Sequence, residues 1–156
     1  CSVRRQRQMC IRDSSNGCDL DQGLLLADAG TVLSLTLIDA HGCFRGGRLM
    51  PGLRLQLQAM ASGTALLPAV TGQQRFDDPF PKGTAEAMGQ GVMQGLAAAV
   101  VDAQQRSGAC LWLCGGDAPW LQEELIRRGL SVQMDQQLQL QAMVDLIPVI
   151  KPVPDH

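Results

Sequence analysis

Hydrophobic and polar positions divide the chain into a strand-rich first part and a largely helical second part. From Gly23 onward, apolar residues occur in short runs or alternate with polar ones between turn residues, which is typical of strands. We predict strands over 23–28, 32–38 and 43–49. Strands joined by such short turns pair antiparallel, so the sequence predicts a three-stranded meander.

The pattern changes to helical spacing after Gly52. Apolar residues three and four positions apart predict a short amphipathic helix that ends near Gly63, followed later by a long helix over 85–106. Thr84 comes directly before the long helix, so we expect it to be the N-cap. The remaining predicted elements are strand 110–115, helix 118–128 with Trp120, Leu121 and Leu125 facing inward, strand 130–134 and a helix over 138–146.

The two ends of the chain show neither the alternation of strands nor the spacing of helices. Residues 1–16 carry four arginines without a regular pattern, and we expect a disordered arm there. Residues 148–156 contain three prolines and are expected to be an extended tail, because proline disfavours helix at the residue before it. The predicted folded unit is therefore 17–147. Its strands come first and its αβα units follow, which predicts an α/β domain with a mixed sheet.

Composition excludes several function classes. The 156 residues are 46% hydrophobic and 18% charged with a net charge of −2, which argues against a disordered chain and against a strongly basic nucleic-acid binder. Aromatic residues make up only 3%, and Tyr is absent, so base-stacking platforms are not expected. The apolar runs are shorter than the roughly 20 residues of a membrane-spanning helix. We expect a small-molecule partner, no nucleic acid and no membrane.

Six cysteines at scattered positions indicate a reduced, cytoplasmic protein rather than a disulfide framework. Cys110 and Cys114 lie four residues apart in a predicted strand, which places them on the same face. Buried thiols of this kind are more often packing residues than metal ligands. No zinc site is predicted.

The segment from Asp28 to Thr31 is the main candidate for chemistry. It presents a carboxylate, a glycine backbone and a hydroxyl at the turn between the first two predicted strands. Asp28 supplies a hard oxygen ligand for a cation, and Thr31 can hydrogen-bond a phosphate. Gly30 is expected to use backbone angles denied to other residues, so that a phosphate can approach. Taken alone, the same residues also fit an ordinary hairpin turn.

Three further motifs follow in order along the chain. They are Gly46-Gly47-Arg48-Leu49-Met50-Pro51-Gly52, Gly83-Thr84-Ala85-Glu86-Ala87-Met88 and Cys114-Gly115-Gly116-Asp117-Ala118-Pro119. Together with the Asp28 segment, they make the chain resemble the type III pantothenate kinases of the acetate and sugar kinase/actin superfamily, from about residue 23 to about residue 143. The resemblance implies an actin-like lobe of the ribonuclease-H type.

The resemblance also implies a function and its cofactors. The reaction is the ATP-dependent phosphorylation of pantothenate to 4'-phosphopantothenate, the first step of coenzyme A biosynthesis, with Mg²⁺ on the phosphates. A monovalent cation, K⁺ or NH4⁺, is assigned to Asp28, and pantothenate is assigned to Thr84. ATP is assigned to Thr31, Gly30, Gly115 and Gly116. A homodimer is implied as well, with its subunit interface at Gly46, Gly47, Pro51 and Gly52.

Two family elements have no counterpart in this sequence. Family members carry an additional N-terminal lobe that opens with an Asp-x-Gly-Asn-Thr phosphate loop, and a Gly-x-Asp-Arg element supplies their general base. The corresponding stretch 8–12 does not match, and Asp13 follows an arginine instead of preceding one, so the catalytic base is unknown. We therefore expect a fragment, the C-terminal lobe of a kinase with a truncated or aberrant N-terminus, that is poorly active or inactive alone.

Two other function classes compete with the kinase. Phosphatases of the haloacid dehalogenase type also join Asp to Thr at a strand end, but they need a second carboxylate two residues after the first, where this chain has Gly30. A non-catalytic protein of the same fold, either a remnant or a transcription accessory factor, fits the missing phosphate loop. The intact motifs around Asp28, Thr84 and Asp117 favour the kinase.

Overall fold

The computed structural model describes residues 22–70 and 78–134. Within them, five strands form one sheet in the order β3-β2-β1-β4-β5. The strands are β1 (Leu24–Ala29), β2 (Val32–Ile38), β3 (Phe44–Pro51), β4 (Cys110–Cys114) and β5 (Gln133–Met134). The helices are α1 (Leu53–Gly63), α2 (Thr84–Ser107) and α3 (Ala118–Arg127).

The first three strands form the predicted antiparallel meander. Leu26 of β1 lies opposite Thr36 of β2, and Leu35 of β2 lies opposite Arg48 of β3. β4 pairs parallel with β1, and β5 pairs parallel with β4. Parallel neighbours need a crossover connection, which α1 and α2 supply before β4 and α3 supplies before β5. The predicted class, a meander followed by αβα units on a mixed sheet, is confirmed.

All three helices pack against one face of the sheet. Because side chains alternate along a strand, β1 directs Leu25, Ala27 and Ala29 to this face. The helices cover it with Leu53, Leu57, Met88, Val92, Leu96, Val100, Leu121 and Leu125. The opposite face carries a second buried cluster of Leu24, Leu26, Ile38, Cys110, Trp112 and Cys114. Asp28 follows Leu26 by two residues, so it lies on this second face.

Two predicted strands differ from the structure by more than one residue at an end, whereas the other bounds agree to within one residue. β3 extends to Pro51, which lies opposite Val32. Proline is tolerated there because β3 is an edge strand and no further strand needs its missing N–H. The strand predicted over 130–134 contains only Gln133–Met134. Leu130, the first residue of the predicted strand, instead caps the C-terminus of α3. Its N–H donates to the carbonyl of Leu125 at 3.1 Å.

Two predicted helix features are wrong. Thr84 is the first residue of α2 rather than its N-cap, and Gly83 occupies the N-cap position. Trp120 is half-buried and belongs to neither core cluster, whereas Leu121 and Leu125 face inward as predicted. The helix pattern is nevertheless correct, because the buried positions of α2 follow the predicted stripe of Met88, Val92, Leu96 and Val100.

The cysteines agree only in part with the expectation of reduced thiols. Cys43 is a free, exposed thiol, and Cys114 is buried. Cys110 is disulfide-bonded, so the prediction of reduced cysteines is wrong at this residue. Its burial on the same face as Cys114 is as predicted.

Several expectations concern residues outside the described ranges. These are the arm over 1–16, the helix over 138–146 and the tail over 148–156. Among residues 22–70 and 78–134, no helix combines the length and the apolar character that a membrane crossing requires.

Candidate functional site

The turn between β1 and β2 lies at the edge of the sheet where β1 and β4 end. These strands run parallel, and Asp28 lies opposite Cys114. The segments that follow them, one with Gly30 and one with Gly115, are therefore neighbours. Ligands of α/β sheets usually bind beyond the carboxyl ends of the strands. The structure thus brings two of the predicted motifs together at the carboxyl ends of β1 and β4, where ligands of such sheets bind.

Backbone hydrogen bonds hold this turn from both sides. The N–H of Asp117 donates to the carbonyl of Ala29 at 2.9 Å, and the N–H of Gly52 donates to the carbonyl of Thr31 at 2.8 Å. A third motif, the one that ends at Gly52, therefore also reaches the turn. The resemblance assigned Gly52 only to a subunit interface, whereas in the structure it is buried against this turn.

Two glycines here permit a close approach of backbone segments. A Cβ at Gly52 would collide with the carbonyl oxygens of Gly30 and Thr31. A Cβ at Gly115 would collide with the carbonyl oxygen of Ala29 and lie 2.7 Å from Oδ1 of Asp28. Gly115 also has φ +96°, a conformation that residues with a side chain rarely adopt. Both positions therefore require glycine for packing.

Two other glycines face open space. A Cβ at Gly30 or at Gly116 would meet no atom within 4 Å. Gly30 does not have a positive φ, so the expectation that it uses backbone angles denied to other residues is wrong. The turn closes without such angles because Gly52 and Asp117 hold it from outside. The space beside Gly30 and Gly116 is where a phosphate could approach the backbone.

Two carboxylates belong to the same region. Asp28 and Asp117 are both half-buried, and Asp117 lines a small cavity together with Gly30. Mg²⁺ is usually held by one or two carboxylates together with substrate phosphates. Among the described residues, no group of three or more His, Cys, Asp or Glu side chains is arranged to hold a metal. The donor set therefore fits a cation shared with a phosphate ligand rather than a closed protein cage.

Apolar side chains support the turn from below. The cavity beside Gly30 measures about 10 Å³, and its apolar lining consists of Leu33, Leu53, Met93, Leu96 and Leu121. A space of this size holds at most about one water molecule. The turn therefore rests on a closely packed apolar surface.

Thr84 is the first residue of α2, the helix that also borders this turn through Met93. It is exposed at the start of α2, and nine residues separate it from Met93 beside Gly30. At 1.5 Å per helical residue, this spacing corresponds to roughly 14 Å along the axis. Thr84 therefore does not line the small cavity beside Gly30, and it lies about two and a half helical turns before the first α2 residue that does.

A carboxylate already lies at the start of α2. The side chain of Glu86 folds back, so that a Cβ at Gly83 would collide with it. The N–H of Ala87 is hydrogen-bonded to the carbonyl of Gly83 at 2.9 Å. A negative side chain in the first turn offsets the positive end of the helix dipole. A second anion would therefore be held less strongly near Thr84 than at an uncompensated helix end.

An ionic cluster around a buried glutamate, which the sequence did not reveal, joins α2 to α3. Glu124 is only 5% exposed. It accepts hydrogen bonds from Gln94 at 3.0 Å and from Arg128 at 2.8 Å, and it pairs with Arg127 at 2.9 Å. Arg128 also donates to Gln94. The sequence shows an i,i+4 pair of the surface type, and only the packing of α2 reveals its burial.

Comparison with known proteins identifies relatives of the chain. Residues 16–106 match the sequence profile of the family described as Type III pantothenate kinase. A protein of that name from Synechococcus sp. (strain JA-2-3B'a(2-13)) is 37% identical over 140 residues, which cover 76% of this chain and 54% of the relative. Another from Rhodopirellula baltica is 35% identical over 130 residues, covering 80% and 47%. The chain spans about half the length of the curated relatives it matches.

A solved structure shares the fold. A conserved Campylobacter jejuni protein, proposed to be a Baf family transcriptional activator, superposes with a TM-score of 0.61 over 94% of this chain and 63% of its own. Sequence identity is 20%, so this likeness concerns the fold alone. The profile match to residues 16–106 is the stronger finding, since it includes the Asp28–Thr31 turn and Thr84.

Proposed function

The chain belongs to the type III pantothenate kinase family, and we propose that it forms the C-terminal lobe of an enzyme that phosphorylates pantothenate with ATP. The observation that supports this most is the meeting of three separate motifs at the Asp28–Thr31 turn. Gly52 and Asp117 donate to this turn through their backbone N–H groups, and Gly115 packs against it.

The residues around the turn have distinct roles in this proposal. The open backbone at Gly30 and Gly116 and the hydroxyl of Thr31 contact phosphate oxygens of ATP. Asp28 holds the monovalent cation, K⁺ or NH4⁺. Phosphoryl transfer depends chiefly on positioning and on neutralising the charge of the phosphates. Mg²⁺ on those phosphates would supply part of that neutralisation, and Asp117, which lines the cavity beside Gly30, would share it.

Pantothenate binds near Thr84 in this proposal. Because Glu86 already places negative charge in the first turn of α2, we expect the hydroxyl of Thr84 to bond a neutral group of the substrate rather than its carboxylate. Thr84 precedes Met93, which lines the cavity beside Gly30, by nine residues, or roughly 14 Å along the axis of α2. This spacing fits an elongated substrate whose reacting hydroxyl lies away from Thr84.

The rest of the catalytic machinery is proposed to lie in a second lobe. The relatives are about twice as long as the stretch that this chain matches. The family's phosphate loop and general base have no counterpart in this sequence. We therefore expect the chain alone to bind nucleotide weakly and to turn over slowly or not at all.

The decisive experiment measures ADP formation from ATP and pantothenate. It compares this chain with a version that is extended by the N-terminal half of the Chromobacterium violaceum relative, which is 36% identical over 131 residues. We expect activity that requires pantothenate and K⁺ in the extended protein. Asp28→Asn should lower the activity and weaken its dependence on K⁺. Asp78→Asn removes the same charge from an exposed loop and serves as the control.

Two outcomes would contradict the proposal. Binding of ATP and pantothenate by the extended, folded protein without turnover would favour the non-catalytic alternative. Unchanged activity and cation dependence in Asp28→Asn would show that the cation assignment is wrong.

A homodimer is part of the proposal. The motif 46–52, which the resemblance assigns to the subunit interface, begins on β3. β3 is an edge strand, and its Leu49 is 78% exposed. Leu49→Lys should lower the molar mass measured by light scattering toward that of a monomer. Leu66→Lys changes a 94% exposed leucine outside the sheet and should leave the mass unchanged. A monomeric parent protein would contradict the dimer.

We also propose a cytoplasmic location. The exposed free thiol of Cys43 supports a reducing compartment, whereas the disulfide at Cys110 argues against one. Thiol counting on protein denatured directly from cells tests this. Six reactive thiols per chain would support the cytoplasm, and fewer would contradict it.

A further inference from the structure

A second concave region lies between β3 and the last turns of α2. Its cavity measures about 200 Å³. Gly46 of β3 borders it, and a Cβ at this residue would meet no atom within 4 Å. The floor is apolar and consists of Leu25, Leu35, Leu37 and Ala103. None of these residues lines the small cavity beside Gly30, so the two regions are distinct.

Three arginines surround this cavity: Arg45, Arg48 and Arg106. Arg45 pairs through Nε with Asp39 at 2.7 Å. Arg48 and Arg106 share Asp102, through Nη1 at 2.6 Å and Nε at 2.8 Å. Each guanidinium thus uses a single nitrogen in these contacts. Most of the five N–H donors of each arginine remain available to a ligand.

The charges around the cavity do not balance. Hydrogen bonds from Arg106 and Arg48 hold the pKa of Asp102 below its ordinary value, so this carboxylate is ionised at neutral pH. A backbone hydrogen bond from Cys43 does the same for the pKa of Asp39, with Arg45 adding to the effect. Within the part of the chain that the structure describes, three guanidinium groups therefore face two carboxylates, which leaves an excess positive charge beside an apolar floor.

We propose that this cavity binds a small organic anion, a monocarboxylate with a short branched alkyl body. The free arginine donors suit the two oxygens of a carboxylate. The apolar floor suits an alkyl group, because burying it removes apolar surface from water. The volume is smaller than the roughly 300 to 1,000 Å³ typical of sites for larger ligands, which sets the size class. This inference does not depend on the kinase activity, although Gly46 and Gly47 at the cavity also belong to the motif proposed for the subunit interface.

The test is a titration of the whole 156-residue chain followed by two-dimensional proton–nitrogen NMR. The probes are 3-methylbutanoate, its uncharged amide and inorganic phosphate. We expect 3-methylbutanoate to cause saturable shifts in residues 45–48 and 103–107. The amide lacks the charge and phosphate lacks the alkyl body, so both should bind more weakly.

Variants separate the contributions of charge and shape. Arg48→Gln and Arg106→Gln should each weaken binding about tenfold, because each removes a charge-assisted hydrogen bond. Ala103→Leu should abolish binding by filling the floor. The matched control is Arg54→Gln, which removes the same charge from an exposed position on α1 and should have no effect.

Several results would overturn the proposal. They are equal binding of the amide, an equal effect of Arg54→Gln, shifts confined to other residues, and no saturable binding in the millimolar range by folded wild-type protein. Circular dichroism checks each variant. If Ala103→Leu does not fold, the two arginine variants still decide the outcome.

Discussion

β2 has a turn at each end. Residues 30–31 connect it to β1 at the candidate site, and residues 39–43 connect it to β3 at the opposite edge of the sheet. Both turns are short, and each contains a glycine. They differ in what stabilises them, and the difference shows which parts of this molecule depend on distant segments.

The turn between β2 and β3 is stabilised by its own side chains. Oδ1 of Asp39 accepts hydrogen bonds from the N–H groups of His41 at 2.9 Å and Cys43 at 2.8 Å. Oδ2 of Asp39 accepts from Arg45 at 2.7 Å. Gly42 supplies the positive φ that the turn needs. This is local chemistry within seven residues, typical of an aspartate-led turn.

The turn between β1 and β2 is stabilised from outside. Its carbonyl groups accept hydrogen bonds from Gly52 and Asp117, which are about 20 and about 90 residues away in sequence. Gly115 packs directly against it. A phosphate site needs a backbone of fixed conformation with open space beside it. Here the segments with Gly52 and Asp117 fix the backbone, and the missing side chain of Gly30 leaves the space.

Gly115→Ala should have the largest effect on stability. The new Cβ would collide with the carbonyl of Ala29, and the positive φ adds strain, so we expect the free energy of unfolding to fall by about 3 kcal/mol. Urea unfolding measures this. Gly116→Ala, at the next residue, is the control and should change it by less than about 0.5 kcal/mol. Equal stabilities would show that Gly115 does not hold the turn.

Gly52→Ala should have the next largest effect. Its φ of −73° is ordinary, so only the collision with the carbonyl oxygens of Gly30 and Thr31 disfavours a side chain. We expect a loss of about 1–2 kcal/mol in the free energy of unfolding, measured in the same way. Gly63→Ala, at the other end of α1 with open space around it, is the control. A loss greater than that of Gly115→Ala would show that the positive φ of Gly115 adds little to the effect of the collision.

Asp39→Asn should have a smaller, pH-dependent effect. The pKa of Asp39 is lowered in the folded state, chiefly by the Cys43 hydrogen bond, so its ionised form stabilises the fold. This contribution is complete above the ordinary pKa of about 3.9 and is lost as the pH falls through the lower folded value. The melting temperature of Asp39→Asn should therefore lie below that of wild type at pH 7 and approach it near pH 2. A difference that does not depend on pH would contradict this account.

Gly30→Ala should have the smallest effect on stability and a clear effect on ATP binding. No atom lies near the new Cβ, so the free energy of unfolding should change by less than about 0.5 kcal/mol. If a phosphate approaches this backbone, the methyl group blocks it and the dissociation constant for ATP rises. Calorimetry with ATP and Mg²⁺ measures this in the extended protein. Unchanged affinity would remove Gly30 from the proposed ATP site.

Much of the fold follows from local sequence. The three-strand meander, the Asp39 turn and the apolar stripe of α2 are all visible as alternation, turn residues or helical spacing. The predicted N-cap at Thr84 is wrong because Gly83 occupies that position and the helix begins one residue earlier. The buried Glu124 was not predicted, because only the packing of α2 against α3 distinguishes it from a surface ion pair.

The candidate site also combines features that the sequence shows with features that only the fold shows. The sequence alone determined the motifs, their order along the chain and the family to which they belong, because glycine, aspartate and threonine at these spacings carry local chemistry. Only the tertiary structure decided that Gly52 and Gly115 serve packing while Gly30 and Gly116 stay open, and that Thr84 begins α2 instead of capping it. The physical reason is that steric room around a glycine depends on segments tens of residues away in sequence.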